Sequence, residues 1–135
     1  MKIGLIGAGA IGQYLLKHAE GHSDLNITSV FVRNYDKYQH LEDQFDVEVF
    51  TDFKAFLNAE TDIIVEAANV ETSKILLPEM IKVKDVMLIS IGALADEALL
   101  KAVSKAGSKT LHLPSGAIGG LDSVSYTHLT LPTKA

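Results

Sequence analysis

Gly7-Ala8-Gly9-Ala10-Ile11-Gly12 constrains this chain more than any other stretch, because its glycines stand where an apolar run, Lys2 to Ile6, gives way to a segment of helical period. Where backbone must pass close to backbone a β-carbon is in the way, so the spacing suits a tight strand-to-helix turn. Gly7 permits the turn, Gly9 lets another group approach the main chain, and Gly12 lets the helix pack on the strand. Ile11, Leu15, Leu16 and Ala19 recur at intervals near 3.6 and are expected to form the buried stripe of a helix that runs to about Glu20 and stops at Gly21.

The rest of the chain repeats this alternation. Six short apolar runs, Lys2 to Ile6, Ile27 to Arg33, Val47 to Phe50, Asp62 to Glu66, Asp85 to Ser90 and Thr110 to Leu113, are separated by segments of helical period. Strands that read as nearly continuous Val, Ile, Leu and Phe, with helices between them, indicate an α/β fold. The expected architecture is a doubly wound parallel sheet of Rossmann type, about six strands with helices on both faces. Asp52 can cap the helix carrying Phe53, Phe56 and Leu57; Thr72 or a neighbour opens the one carrying Ile75, Leu76 and Met80. Asp96 or Ala95 opens a helix in which Leu99, Leu100 and Val103 face the sheet and which Gly107 ends.

With 135 residues, 47% of them hydrophobic, the chain suits one domain with a continuous core, and no second full domain fits. A net charge of -5 with interspersed signs lacks the basic footprint of a nucleic-acid binder. The absence of cysteine excludes disulfides, a thiolate zinc site and a cysteine nucleophile. The first strand leaves no room for a signal peptide, and no apolar run approaches the roughly 20 residues of a membrane span, so a cytoplasmic protein without membrane partners is expected. The last stretch, Val124 to Ala135, continues no pattern. Val124 to Thr133 resembles the conceptual translation of a transposon-end sequencing adapter. The domain is therefore expected to occupy residues 1–122, followed by a non-native or disordered tail at 123–135.

The amides of Gly9, Ala10, Ile11 and Gly12, at the start of the expected helix, lack intrahelical acceptors and lie at the positive end of its dipole, where a diphosphate can accept from them. Such a turn after a first strand points to a dinucleotide. NAD sites usually carry a carboxylate at the end of the second strand, about 20 residues after the glycines. Here Val32, Arg33 and Asn34 stand instead, and a guanidinium there suits a 2'-phosphate, so NADP or use of both cofactors is expected, with Asp36 placed to reach a ribose. Ligands sit beyond the carboxyl ends of parallel strands. That adds Ala68 and Asn69 after the fourth strand, Gly92 after the fifth and Ala117 after the sixth as candidate cofactor contacts. None of the histidines is nominated as catalytic and no residue as a metal ligand.

The string Leu113-Pro114-Ser115-Gly116-Ala117-Ile118-Gly119-Gly120-Leu121-Asp122 is similar to the hallmark of the aspartate dehydrogenase family. Ser90 to Asp96 and Val65 to Ala68 resemble the same family's fifth-strand crossing and fourth-strand exit. The resemblance implies NAD(P)-linked interconversion of L-aspartate and iminoaspartate, feeding nicotinamide cofactor biosynthesis, in a full-length homo-oligomer. It implies that Ala117 contacts the nicotinamide end through its backbone, and that the catalytic residues lie in a substrate domain missing from this chain. A homoserine dehydrogenase-like oxidoreductase and a non-catalytic dinucleotide sensor are the alternatives. The string ending at Asp122 argues against the first, and the lack of a basic patch or extra helix pair against the second.

Overall fold

The computed structural model describes residues 1–104, 109–113 and 128–130. The chain divides into two compact units, Met1–Ala68 and Asn69–Ala135, where the sequence suggests one continuous domain over 1–122. Both units are built from strands and connecting helices, the α/β organisation expected of a Rossmann-like fold.

In the first unit the elements run β1 (Lys2–Ile6), α1 (Ala10–Ala19), β2 (Asn26–Phe31), α2 (Tyr35–Tyr38), α3 (His40–Phe45), β3 (Glu48–Phe50), α4 (Phe53–Asn58) and β4 (Ile63–Glu66). The strands lie in the order β3-β2-β1-β4, and every neighbouring pair is parallel. The chain therefore steps outward from β1 to β3 and returns to the other side of β1 with β4, which makes β1/β4 the point where strand order reverses. Leu5, Val30 and Ile64 are fully buried, as central strands covered by helices require. Gly4 owes its lack of a side chain to α4: a β-carbon there would meet the Phe56 ring at 2.9 and 3.2 Å. Phe56 is itself buried in an aromatic cluster, with ring centroids 5.8 Å from Phe31, 6.0 Å from Phe50 and 6.3 Å from Phe53.

In the second unit α5 (Val70–Val83) leads to β5 (Asp85–Leu88), a 3-10 turn (Ile91–Ala95), α6 (Glu97–Ser104), β6 (Thr110–His112) and β7 (His128–Thr130). β5 and β6 are parallel, with Val86 opposite Leu111. Its core comprises Leu77, Met80, Ile81, Val86, Leu88, Val103 and Leu111, all fully buried. Asp96 opens α6 as expected, accepting from the Leu99 amide at 3.1 Å.

Several expectations shift. β2 ends at Phe31, so Val32 and Arg33 lie beyond it; Val32 keeps one bond, to the Phe50 carbonyl at 2.9 Å, after which the chain turns into α2. Ile11 is 51% exposed, because the first turn of α1 projects past the sheet, and the helix buries Gly12 and Leu16 instead. On α5 Met80 is buried, but Ile75 is exposed and Leu77 takes the buried place alongside Met80 and Ile81. Gly21 does not take a left-handed conformation; α1 closes by a turn from the His22 amide to the Ala19 carbonyl. The tail was expected to add no strand, yet His128–Thr130 pairs antiparallel with β6, Leu129 opposite Leu111. Three residues are too few for an alternation to be read. Gly107 lies outside the described residues.

Phe56→Ala is expected to lower the unfolding free energy by about 3–5 kcal/mol, read from urea denaturation, because it empties the centre of the aromatic cluster.

Candidate functional site

The turn between β1 and α1 is held on both sides. The Gly7 amide donates to the Phe31 carbonyl at 3.0 Å, which ties the turn to the end of β2. Gly7 has φ +97°, a left-handed backbone that L side chains rarely adopt, and a β-carbon there would meet the Ala68 Cα at 2.9 Å and the Ala67 carbonyl oxygen at 3.0 Å. Gly12 is equally restricted, since a β-carbon on it would run into the Gly7 carbonyl. Gly9 differs: nothing lies within 4 Å of where its β-carbon would be. Space is left open at the one glycine read as a point of ligand approach.

Gly9 is also the N-cap of α1, and it provides no side-chain cap. The first backbone bond of the helix runs from the Gln13 amide to the Gly9 carbonyl at 2.9 Å, so the amides of Ala10, Ile11 and Gly12 have no acceptor within the helix. The first turn holds no acidic residue, and Lys17 and His18 occupy the last turn, where cations suit the dipole. Gln13 Nε2 donates to the Ala8 carbonyl at 2.8 Å and pins the loop ahead of the helix. The result is an open, electropositive backbone cradle suited to an anion.

Across the switch point, β4 ends at Glu66, and Ala67 and Ala68 follow it. The Ala67 amide donates to the Ile6 carbonyl at 2.9 Å and extends the β1/β4 ladder by one step. The Ala68 amide donates to Glu66 Oε2 at 2.9 Å. Glu66 is fully buried, a carboxylate in a strand that otherwise reads Ile-Ile-Val. In the sequence it stands within the Val65 to Ala68 exit, with no role of its own assigned. The available signal was an acid directly before the Ala67-Ala68 exit.

Arg33 and Asn34 follow β2 as exposed residues. The Asn34 side chain caps α2 by accepting from the Lys37 amide at 3.2 Å, so one of its polar groups is used locally. Next to it the Tyr35 hydroxyl donates to Glu42 Oε1 at 2.7 Å, and Glu42 Oε2 accepts from the Val49 amide at 3.1 Å. This relay joins α2, α3 and β3 and braces the corner that carries Arg33. The Tyr35 bond, then the Val49 amide, holds the Glu42 carboxyl below its ordinary 4.5, and the same bond holds the Tyr35 hydroxyl above its ordinary 10.0.

The second unit holds two further candidates. Asn69 is the N-cap of α5, its side chain accepting from the Thr72 amide at 2.8 Å. It performs the capping expected of Thr72 or a neighbour. Gly92 sits in the 3-10 turn, and a β-carbon on it would meet only the end of the Val70 side chain, at 3.3 Å. Ala117 lies outside the described residues. Arg33, Asn34, Ala68 and the glycine turn thus share the first unit, while Asn69 and Gly92 belong to the second.

Residues 7–113 match the family described as homoserine dehydrogenase, NAD binding domain. The chain belongs to that family. As a member it is also similar to curated L-aspartate dehydrogenases: 35% identical to that of Methanocaldococcus jannaschii over 96% of this chain and 51% of the relative. The enzyme of Methanopyrus kandleri is 38% identical over 90% of this chain and 50% of the relative. The chain spans about half the length of these relatives. The fold is that of the WlbA dehydrogenase from Bordetella pertussis, solved with NADH and UDP-GlcNAcA, at a TM-score of 0.72 and 18% identity over 84% of this chain and 37% of that one. The chain is thus a Rossmann-like NAD-binding domain. Among the described residues no helix is long and apolar enough to cross a membrane.

The Tyr35–Glu42 relay has a defined pH window. The depressed Glu42 pKa contributes stability that is present above the ordinary carboxyl value and lost as pH falls through the folded one. The raised Tyr35 pKa contributes below about 10 and is lost as pH climbs through its folded value. Tyr35→Phe is expected to move the Glu42 midpoint up towards 4.5 in an NMR titration of side-chain carboxyls. An unmoved midpoint would show that the relay does not form in solution.

Proposed function

We propose that this chain is the cofactor-binding part of an NAD(P)-dependent L-aspartate dehydrogenase, which interconverts L-aspartate and iminoaspartate. The observation that carries the reading is the α1 cradle: amides without helical acceptors beside open space at Gly9, in a chain similar to curated L-aspartate dehydrogenases. In this reading the amides of Gly9, Ala10, Ile11 and Gly12 bind the diphosphate, with Gly7 and Gly12 keeping the turn tight. Arg33 and Asn34 receive the adenosine ribose, and the guanidinium favours NADP or use of both cofactors. Exposed Ile11 and half-buried Ala68 are further proposed contacts of the first unit, and Asn69, Gly92 and Ala117 are proposed from their place in the sequence after the fourth, fifth and sixth strands.

The dinucleotide, when bound, supplies the acceptor for the hydride that leaves the substrate carbon bearing nitrogen. What these residues do is orient that group and hold its charge without a lysine. Substrate recognition and proton transfer belong to the remaining half of the intact enzyme, which we propose is a cytoplasmic homo-oligomer supplying nicotinamide cofactor synthesis. The chain alone then binds cofactor without turning over aspartate. The homoserine dehydrogenase reading has one observation in its favour, the description of the matching family. Assaying the full-length protein with L-aspartate and L-homoserine separates the two.

Calorimetry with NADH and NADPH provides the direct measurement. Binding is expected to both, and Gly9→Ala is expected to weaken it about tenfold, the equivalent of roughly 1.4 kcal/mol, while the melting temperature stays within about 2 °C. Absence of heat from either nucleotide at millimolar concentration would remove the dehydrogenase reading. For Arg33→Ala the expected outcome is about tenfold weaker NADPH binding, with NADH within about twofold of wild type. Unchanged NADPH affinity would leave the guanidinium no phosphate role.

A further inference from the structure

The least expected group in the first unit is the buried Glu66 carboxylate. Taking a carboxylate out of water is costly unless hydrogen bonds meet its oxygens, and an aliphatic residue of similar volume fills such a position more cheaply. A fourth apolar residue after Ile63, Ile64 and Val65 would continue the strand just as well. The side chain instead reaches forward and takes the Ala68 amide at 2.9 Å, two residues on.

That bond acts where the two strand exits meet. β4 remains in register with β1 as far as Glu66 opposite Ile6, and the ladder ends with the Ala67 amide on the Ile6 carbonyl. From there the main chain leaves the sheet, and the Glu66 side chain takes over the hydrogen-bonding role of the ladder. The Ala67–Ala68 backbone it holds occupies the space where a β-carbon of Gly7 would stand, 2.9 Å from the Ala68 Cα and 3.0 Å from the Ala68 nitrogen. Gly7 is fixed from the other side by the Phe31 carbonyl. The glycine turn therefore sits between a main-chain anchor on β2 and a wall whose position the Glu66 carboxylate sets. Displacement of that wall by a few tenths of an ångström passes directly to Gly7 and, through the Gly7 carbonyl packed under Gly12, to the first amides of α1.

We propose that Glu66 is a positioning residue for the bound dinucleotide: by holding the Ala67–Ala68 backbone against Gly7 it sets the geometry with which the α1 amides meet the diphosphate. This rests on the reading that the cradle binds a dinucleotide. Wild-type binding of NADH or NADPH, followed by nucleotide fluorescence, is therefore measured first, and its failure removes that reading and not the geometry of Glu66. Glu66→Leu keeps the approximate volume and lacks an acceptor; Glu66→Gln keeps a carbonyl oxygen able to accept from Ala68. The expected pattern is a folded Leu variant with binding weakened about tenfold or more and faster exchange of the Ala68 amide, and a Gln variant within about threefold of wild type. A folded Leu variant that binds as wild type would reduce Glu66 to a structural residue and overturn the proposal, as would a folded Gln variant as impaired as Leu. If neither variant folds, the wild-type chain decides: nucleotide binding is expected to slow hydrogen exchange at Ala68 together with Ala10 and Ile11. Protection of α1 with no change at Ala68 would overturn the coupling.

Discussion

At Gly7 and Gly12 main chain passes main chain with no space for a β-carbon, and most of the first unit is arranged around that approach. Gly7 must take a left-handed φ to turn β1 into α1, and its carbonyl then lies under Gly12. A side chain at either position would push the helix off the strand. Because the helix starts this close to the sheet, its first amides open directly beyond the carboxyl end of β1, beside the β1/β4 reversal of strand order. Shape, direction and exposure of the cradle all follow from the contact.

The cradle is suited to an anion without spending a cation. The protein as a whole carries a net charge of -5, but α1 has no acid in its first turn and basic residues in its last. The local field is that of oriented peptide groups, which are fixed by the fold and need no rearrangement when a ligand arrives. In the proposed reading, selectivity between cofactors falls to another part of the unit, the corner after β2. There Arg33 offers the positive side chain, and the Asn34 cap with the Tyr35–Glu42–Val49 relay gives it a braced support.

The sequence disclosed what sterics dictate and concealed what tertiary packing decides. The glycine turn was legible because each glycine answers a separate steric demand at a set spacing, and all six expected strands differ from the observed ones by no more than two residues at either end. Val32 and Arg33 extended the second strand on paper because apolar character continues past the last ladder pair, and only the Phe50 carbonyl marks the true exit. α2 and α3 were not foreseen, since helices this short carry no full period; the Asn34 cap was their one local sign. Ile11 has the correct period for burial but sits beyond the sheet that would bury it. Glu66 was legible only as a member of the Val65 to Ala68 exit and its role was not, because a strand-terminal acid reads the same whether it meets water or a buried amide.

Phe31 has a double attachment whose consequence extends beyond the turn. Its ring lies 5.3 Å from Phe53 and 5.8 Å from Phe56 in the aromatic cluster, and its carbonyl holds the Gly7 amide. One residue thus ties the softest-looking loop of the unit to its most tightly packed interior, so the recognition loop has no private flexibility to trade for breadth of ligand. If the turn binds a nucleotide as proposed, change in which nucleotide is accepted has to come through the exposed corner at Arg33, where residues can vary without disturbing the aromatic interior.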